Sequence, residues 1–185
     1  MKKTLIYFTL LILLASNCFA KKLYIYRDVG KDTSKFISSG WMGDYSSLRF
    51  SSKCFNVKKR GTSSIKITYT PKEKSVGWCG IFWKYPYYNW GEEKGFNLSK
   101  YKKLTFWAKG KEGGEIIDKF QVGGIENDTA SVKTRPIMLT KEWQKITINL
   151  RKKDLSNIVG AFCFIVEKND NPNGCTFYLD EIVFK

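Results

Sequence analysis

The residues with most chemistry to offer are aromatic and lie close together. Between positions 78 and 90 stand Trp78, Phe82, Trp83, Tyr85, Tyr87, Tyr88 and Trp90. A Trp or Tyr ring can cover the flat C–H face of a sugar with large area and little entropy cost, while its N–H or O–H keeps a hydrogen bond. Lys84, Asn89 and Gln121 are near enough in sequence or pattern to serve sugar hydroxyls. On a strand through Gly77–Tyr85, alternation puts Cys79, Ile81, Trp83 and Tyr85 on one face and Trp78, Gly80 and Phe82 on the other. Rings on strands usually pack inward, which assigns Trp78, Phe82 and Trp107 to the core. Tyr87, Tyr88 and Trp90 follow Pro86 in a loop, where packing does not account for them. With Trp83 and Tyr85 they form the candidate platform: Trp83, Tyr85, Tyr87, Tyr88 and Trp90.

Catalysis finds little to work with. There is no histidine in the 185 residues, so neither a Ser–His nor a Cys–His pair can form. Hydrolysis of a glycosidic bond needs two carboxyl groups at a set separation. Glu92, Glu93, Glu112 and Glu115 read instead as loop residues facing water. The expectation is binding without chemistry. A lyase built on Tyr, Lys and Arg is the outlying enzymatic alternative.

Asp180-Glu181 interrupts an otherwise apolar final segment. A carboxylate there is paired with a lysine, bonded to backbone amides, or a ligand of calcium, which gathers six to eight oxygens. Asp28 is a possible second calcium ligand beside Asp180. Cys54, Cys79, Cys163 and Cys175 permit two disulfides in an exported chain, with the pairing open. Buried free thiols are the alternative for Cys79 and Cys163, which sit in apolar runs. The spacing does not suit zinc.

The elements that must position these residues are strands. Ile146, Ile148 and Leu150 alternate with Lys145, Thr147 and Asn149. The same period runs through Ile65–Tyr69, Leu104–Ala108 and Phe120–Val122. Residues 161–166 are apolar on both faces, as a central strand requires. Glycine- and asparagine-rich turns separate these runs, at 109–114, 123–124 and 169–174. Only 98–103 and 155–159 offer a helical turn. The pattern predicts one all-β domain, an antiparallel β-sandwich of the jelly-roll kind, over residues 21–185.

Residues 1–20 read as a signal peptide: Lys2 and Lys3, an apolar run Leu5–Leu14, then small residues to Ala20. The run is too short for a mature membrane anchor. The expected location is therefore periplasmic or extracellular. The alternative is a lipid anchor on Cys18, since Leu14-Ala15-Ser16-Asn17-Cys18 loosely resembles a lipobox. Residues 21–185 keep thirty basic against 17 acidic side chains, a net charge of +13. The compartment argues against nucleic acid as partner. Solvated lysines on outward faces are the plain explanation, and attraction to an anionic polysaccharide or envelope polymer is the sharper one.

The run Gly77-Trp78-Cys79-Gly80-Ile81-Phe82-Trp83-Lys84-Tyr85-Pro86 and the following Asn89-Trp90-Gly91 resemble bacterial galactose-binding-like jelly-roll domains akin to carbohydrate-binding modules. Ser39–Tyr45, Leu104–Gly110, Leu139–Trp143 and Thr176–Ile182 extend the resemblance over nearly all of residues 21–185. It implies a β-sandwich, a glycan or polysaccharide partner, and a structural calcium near the last-strand aspartate. Tyr87 and Tyr88 depart from it, standing where similar sequences carry smaller or polar residues. The alternative to glycan binding is an envelope-interaction protein that holds acidic polymers on its basic surface.

Overall fold

Period-two alternation becomes thirteen strands in a computed structural model that describes residues 21–30 and 34–185. In chain order they are β1 (Leu23–Tyr26), β2 (Ile37–Gly43), β3 (Leu48–Cys54), β4 (Ser64–Tyr69), β5 (Trp78–Lys84), β6 (Lys103–Gly110) and β7 (Ile116–Ile117). Then follow β8 (Lys119–Gly123), β9 (Ser131–Lys133), β10 (Ile137–Met138), β11 (Gln144–Asn149), β12 (Gly160–Glu167) and β13 (Cys175–Phe184). One sheet runs β11-β6-β13-β4-β3, with β1 also paired to β13; the other runs β2-β5-β12-β8-β9. β10 and β7 form a short separate pair. Every pairing is antiparallel. The architecture is the β-sandwich expected. The segments 98–103 and 155–159 form no helix, and no helix among the described residues is long and apolar enough to cross a membrane. Residues 1–20, where the sequence leads us to expect a signal peptide or a lipid anchor on Cys18, lie outside the described residues.

The inner faces meet in one core. Ile65, Ile67, Phe106 and Phe177 from the six-stranded sheet pack against Ile81, Trp83, Phe120, Phe162 and Phe164 from the five-stranded one. Phe106 joins the two layers, with its ring 4.7 Å from Phe120 and 5.1 Å from Phe162. The Asp180-Glu181 interruption is a bulge. Register shifts between Asp180 and Val183, and Glu181 takes a positive φ of 51°. On one edge β13 pairs with β4 through Leu179; beyond the bulge β1 takes that edge at Ile182.

All four cysteines of the domain are free thiols. Of the two possibilities open in the sequence, the thiol one holds. Burial pushes the Cys79 and Cys175 thiols up to about 12 and also raises that of Cys163.

Candidate functional site

β5 fixes the site, because its two faces meet different surroundings. Cys79, Ile81 and Trp83 turn into the sandwich and are buried in the core. Trp78, Gly80, Phe82 and Lys84 turn outward. Their register neighbours share that outer face: Met42 and Gly40 on β2, Glu167, Ile165 and Cys163 on β12, then Lys119 and Gln121 on β8. β12 is therefore apolar on both sides for two reasons. Phe162, Phe164 and Val166 face the core, while Cys163 and Ile165 floor an outer trough.

The trough is a depression of about 360 Å³ with Met42, Trp78, Phe82 and Ile165 as its apolar surface and Lys119, Gln121 and Glu167 as its polar side. Two glycines keep it flat. A Cβ on Gly80 would stand 2.3 Å from the Phe164 carbonyl oxygen and 2.6 Å from Ile165 Cδ1. A Cβ on Gly40 would stand 2.7 Å from Phe82 Cβ. Only glycine lets the Phe82 side chain and the Lys84 stem lie this close across β2.

Lys84 ends the row. It is fully buried, its Nζ has no hydrogen-bond partner, and the ammonium lies 3.7 Å from the centre of the Trp90 ring. Burial lowers its pKa to about 8, against the opposing pull of Glu92. Trp90 is held over it by a braced loop. Asn89 Oδ1 accepts from the Gly91 and Glu93 amides, and Asn89 Nδ2 donates to the Glu93 carbonyl. Glu92 Oε2 accepts from the Trp90 amide.

A folded-state pKa below the ordinary lysine value costs stability wherever the unfolded chain would be protonated. The penalty is full below pH 8 and fades as pH rises toward 10.5, the ordinary value. Lys84→Met should therefore stabilise the protein at neutral pH by about 1–2 kcal/mol, as an apolar replacement of a buried charge can. The gain should shrink on titration through that window. Denaturant unfolding across the pH range reads both, and a gain that does not vary with pH would contradict the account.

The sequence-level candidates divide. Trp90 lies at the end of this surface, 39% exposed, and Tyr87 and Tyr88 protrude from the same loop, 51% and 66% exposed. Trp83 corrects the expectation: at 4% exposure it is a core ring against Phe50, Phe162 and Phe164. Tyr85 is also turned away, with its ring edge-on to Phe36 and Phe96. Conversely, Trp78, assigned to the core from sequence, is only half-buried and lines the trough, whereas Phe82 is buried as that assignment expects and contributes to the trough floor. Trp107 also faces outward, on the other sheet, beneath Lys59 at 4.4 Å. Asn89, a possible hydroxyl ligand in sequence, is spent on bracing the loop.

The two candidate metal ligands prove to be loop anchors. Asp180 Oδ2 accepts from the Lys59 and Arg60 amides and its Oδ1 from the Glu181 amide. Asp28 Oδ1 accepts from the Thr62 and Ser63 amides and the Thr62 hydroxyl. Amide hydrogens are the wrong neighbours for a cation. Among the described residues no group of three or more His, Cys, Asp or Glu side chains gathers as a metal site would need. The hydrogen bonds of Asp28 and Asp180 tie the loop after β3 to the end of β1 and to the bulge in β13.

Comparison with known proteins agrees with this architecture. Residues 26–185 match the family model for carbohydrate binding domain 30. The fold is similar to a crystal structure of a family 30 carbohydrate binding module, with TM-score 0.62 at 19% identity over 90% of this chain and 88% of that one. It is also similar to the family 30 module of a cellulosomal cellulase of Clostridium thermocellum, with TM-score 0.60 at 19% identity over 89% and 97% of the two chains. A family 11 module from the same organism, solved with a β-1,3-1,4-mixed-linked tetrasaccharide, has TM-score 0.52 at 16% identity over 88% and 94%. No curated protein sequence matches.

Proposed function

The chain belongs to the carbohydrate binding domain 30 family, and from that membership we propose that its glycan lies along the outer trough of the five-stranded sheet. The observation that carries the assignment is Trp78 and Phe82 on the outward face of β5, aligned with the Lys84–Trp90 pair. Six residues separate Trp78 from Lys84, which on an extended strand is roughly 20 Å. A surface of that length suits a linear chain better than a single sugar. Sugar rings stack on Trp78 and Trp90 through their C–H faces, above the apolar floor to which Phe82 contributes, while Lys119, Gln121 and Glu167 serve hydroxyls along one side.

The class of chain is a neutral, unbranched β-glucan, for which the mixed-linked tetrasaccharide of the family 11 neighbour is the natural probe. No hydrolysis is expected. Glu167 is the one carboxylate lining the trough, where a hydrolase needs two. Action outside the cytoplasm accords with the export signal read in residues 1–20 and with the extracellular location of such polymers.

Titration of the mature protein with the mixed-linked tetrasaccharide, followed by calorimetry at low and high salt, tests the proposal. Stacking and neutral hydrogen bonds should make binding nearly independent of salt. Failure to bind this probe and a panel of neutral β-glucans would remove the trough assignment.

A further inference from the structure

The opposite side of the molecule has a different character. Outward side chains of the six-stranded sheet are cationic or neutral across adjacent strands. Lys109, Tyr178, Lys66 and Ser51 form one cross-strand row, and Thr176, Thr68 and Arg49 the next. Lys145 and Trp107 stand side by side farther along, with Lys59 over the indole. The two acids in this part of the sheet are both engaged: Asp180 is fully buried and occupied by amides, and Glu181 lies 3.9 Å from Arg60. Such a face attracts polyanions over long range.

Charge alone would describe a solvated face. Two further features describe a site. A depression of about 390 Å³ bounded by Arg49, Ser51, Lys66 and Lys111 runs into a second of about 430 Å³ at the end of the sandwich. Thr68, Lys111 and Thr176 line both, so the two form one groove. At the far end lies Glu115, 7% exposed. Its Oε1 accepts from the Glu112 amide, but its Oε2 is buried without a partner. An orphaned carboxylate oxygen is costly, and a hydroxyl-bearing ligand would satisfy it.

We propose that this groove is a second carbohydrate site, independent of the trough, that takes an acidic polysaccharide of the uronate type. Chain carboxylates meet Arg49, Lys66 and Lys111 on the sheet, and a sugar hydroxyl donates to Glu115 at the loop end. The polarity of the groove orders the ligand. Glu112, paired with Lys111 at 3.1 Å, and Asp170 stand at the loop end, where hydroxyls rather than carboxylates are welcome. A nucleic acid would bring phosphates along its whole length, against those acids.

Affinity electrophoresis through polygalacturonate tests the proposal with the full mature domain. Retardation is expected, weakening as salt rises, and undiminished by excess mixed-linked tetrasaccharide or by Trp78→Ala. Arg49→Glu with Lys66→Glu, both at exposed positions, should weaken it about tenfold or more while neutral β-glucan binding persists. Glu115→Gln is the sharper arm. It removes a negative charge, so attraction by charge alone would tighten binding; loss of the charged hydroxyl acceptor should instead weaken it about tenfold. Absent retardation, equal retardation by duplex DNA, or tighter binding by Glu115→Gln would each overturn the proposal. None of these outcomes bears on the trough, which neutral glucans test separately.

Discussion

Trp78→Ala should abolish most neutral-glycan binding, with a loss of about 2–3 kcal/mol, or roughly 30- to 150-fold in Kd. The indole is only partly buried and sits at the edge of a small outer cluster rather than in the main core. Removing it therefore takes away a stacking surface without opening a cavity between the sheets. The cost in stability should stay within about 1 kcal/mol, as for surface substitutions generally. Calorimetric titration of the variant beside its urea unfolding curve separates the two effects. Wild-type affinity in the variant would show that the sugar lies elsewhere. A large loss of stability would show that Trp78 is packing after all.

Tyr87 and Tyr88 provide the contrast. They are the most exposed of the candidate rings in the loop, with centroids 3.8 Å apart. Loop position identified them as available from sequence, and the structure keeps them available. Trp78 was less accessible to that reasoning because it lies on a strand, where rings usually mean core, as Phe82 beside it is.

Alternation along β5 was legible: Trp78, Gly80 and Phe82 do share a face, and so do Cys79, Ile81 and Trp83. Which face looks inward was not decided by aromatic content, since both faces carry a tryptophan. A usable signal was present. One face is uninterruptedly apolar through Cys79, Ile81 and Trp83, while the other holds a glycine and ends in Lys84. A lysine in phase with the rings marks the side that meets solvent or ligand. The sandwich itself was readable because β4, β6 and β11 alternate cleanly. The role of Asp28 and Asp180 was not, because their partners are amides of residues 59–63, up to 121 positions away in the chain. Amide donors carry no side-chain signature. The groove on the other sheet was beyond reach for the same reason: Arg49, Lys66, Lys111 and Glu115 come together only through strand order.

Trp83→Ala should have the opposite effect to Trp78→Ala, although the two residues are five apart on one strand. Trp83 lies between the layers: its ring is 5.8 Å from Phe50 of the six-stranded sheet and 5.2 Å from Phe162 beside it. Deleting a buried indole forfeits its transfer energy and leaves a cavity that the flanking strands, fixed by their ladders, cannot close. The expected cost is about 3–5 kcal/mol, a large share of the roughly 5–15 kcal/mol that holds a domain together. The melting temperature should fall by roughly 6–20 °C on the scaling for a chain of this size. At a temperature where the variant is still folded, its affinity for the mixed-linked tetrasaccharide should stay within a few-fold of wild type, because the indole never reaches the trough. Thermal unfolding and titration at that temperature decide the matter together. Undiminished stability with lost affinity would return Trp83 to the surface and reverse the two faces of β5. The expected pairing, stability lost and affinity kept, fixes the ligand on the face of Trp78, Phe82 and Lys84.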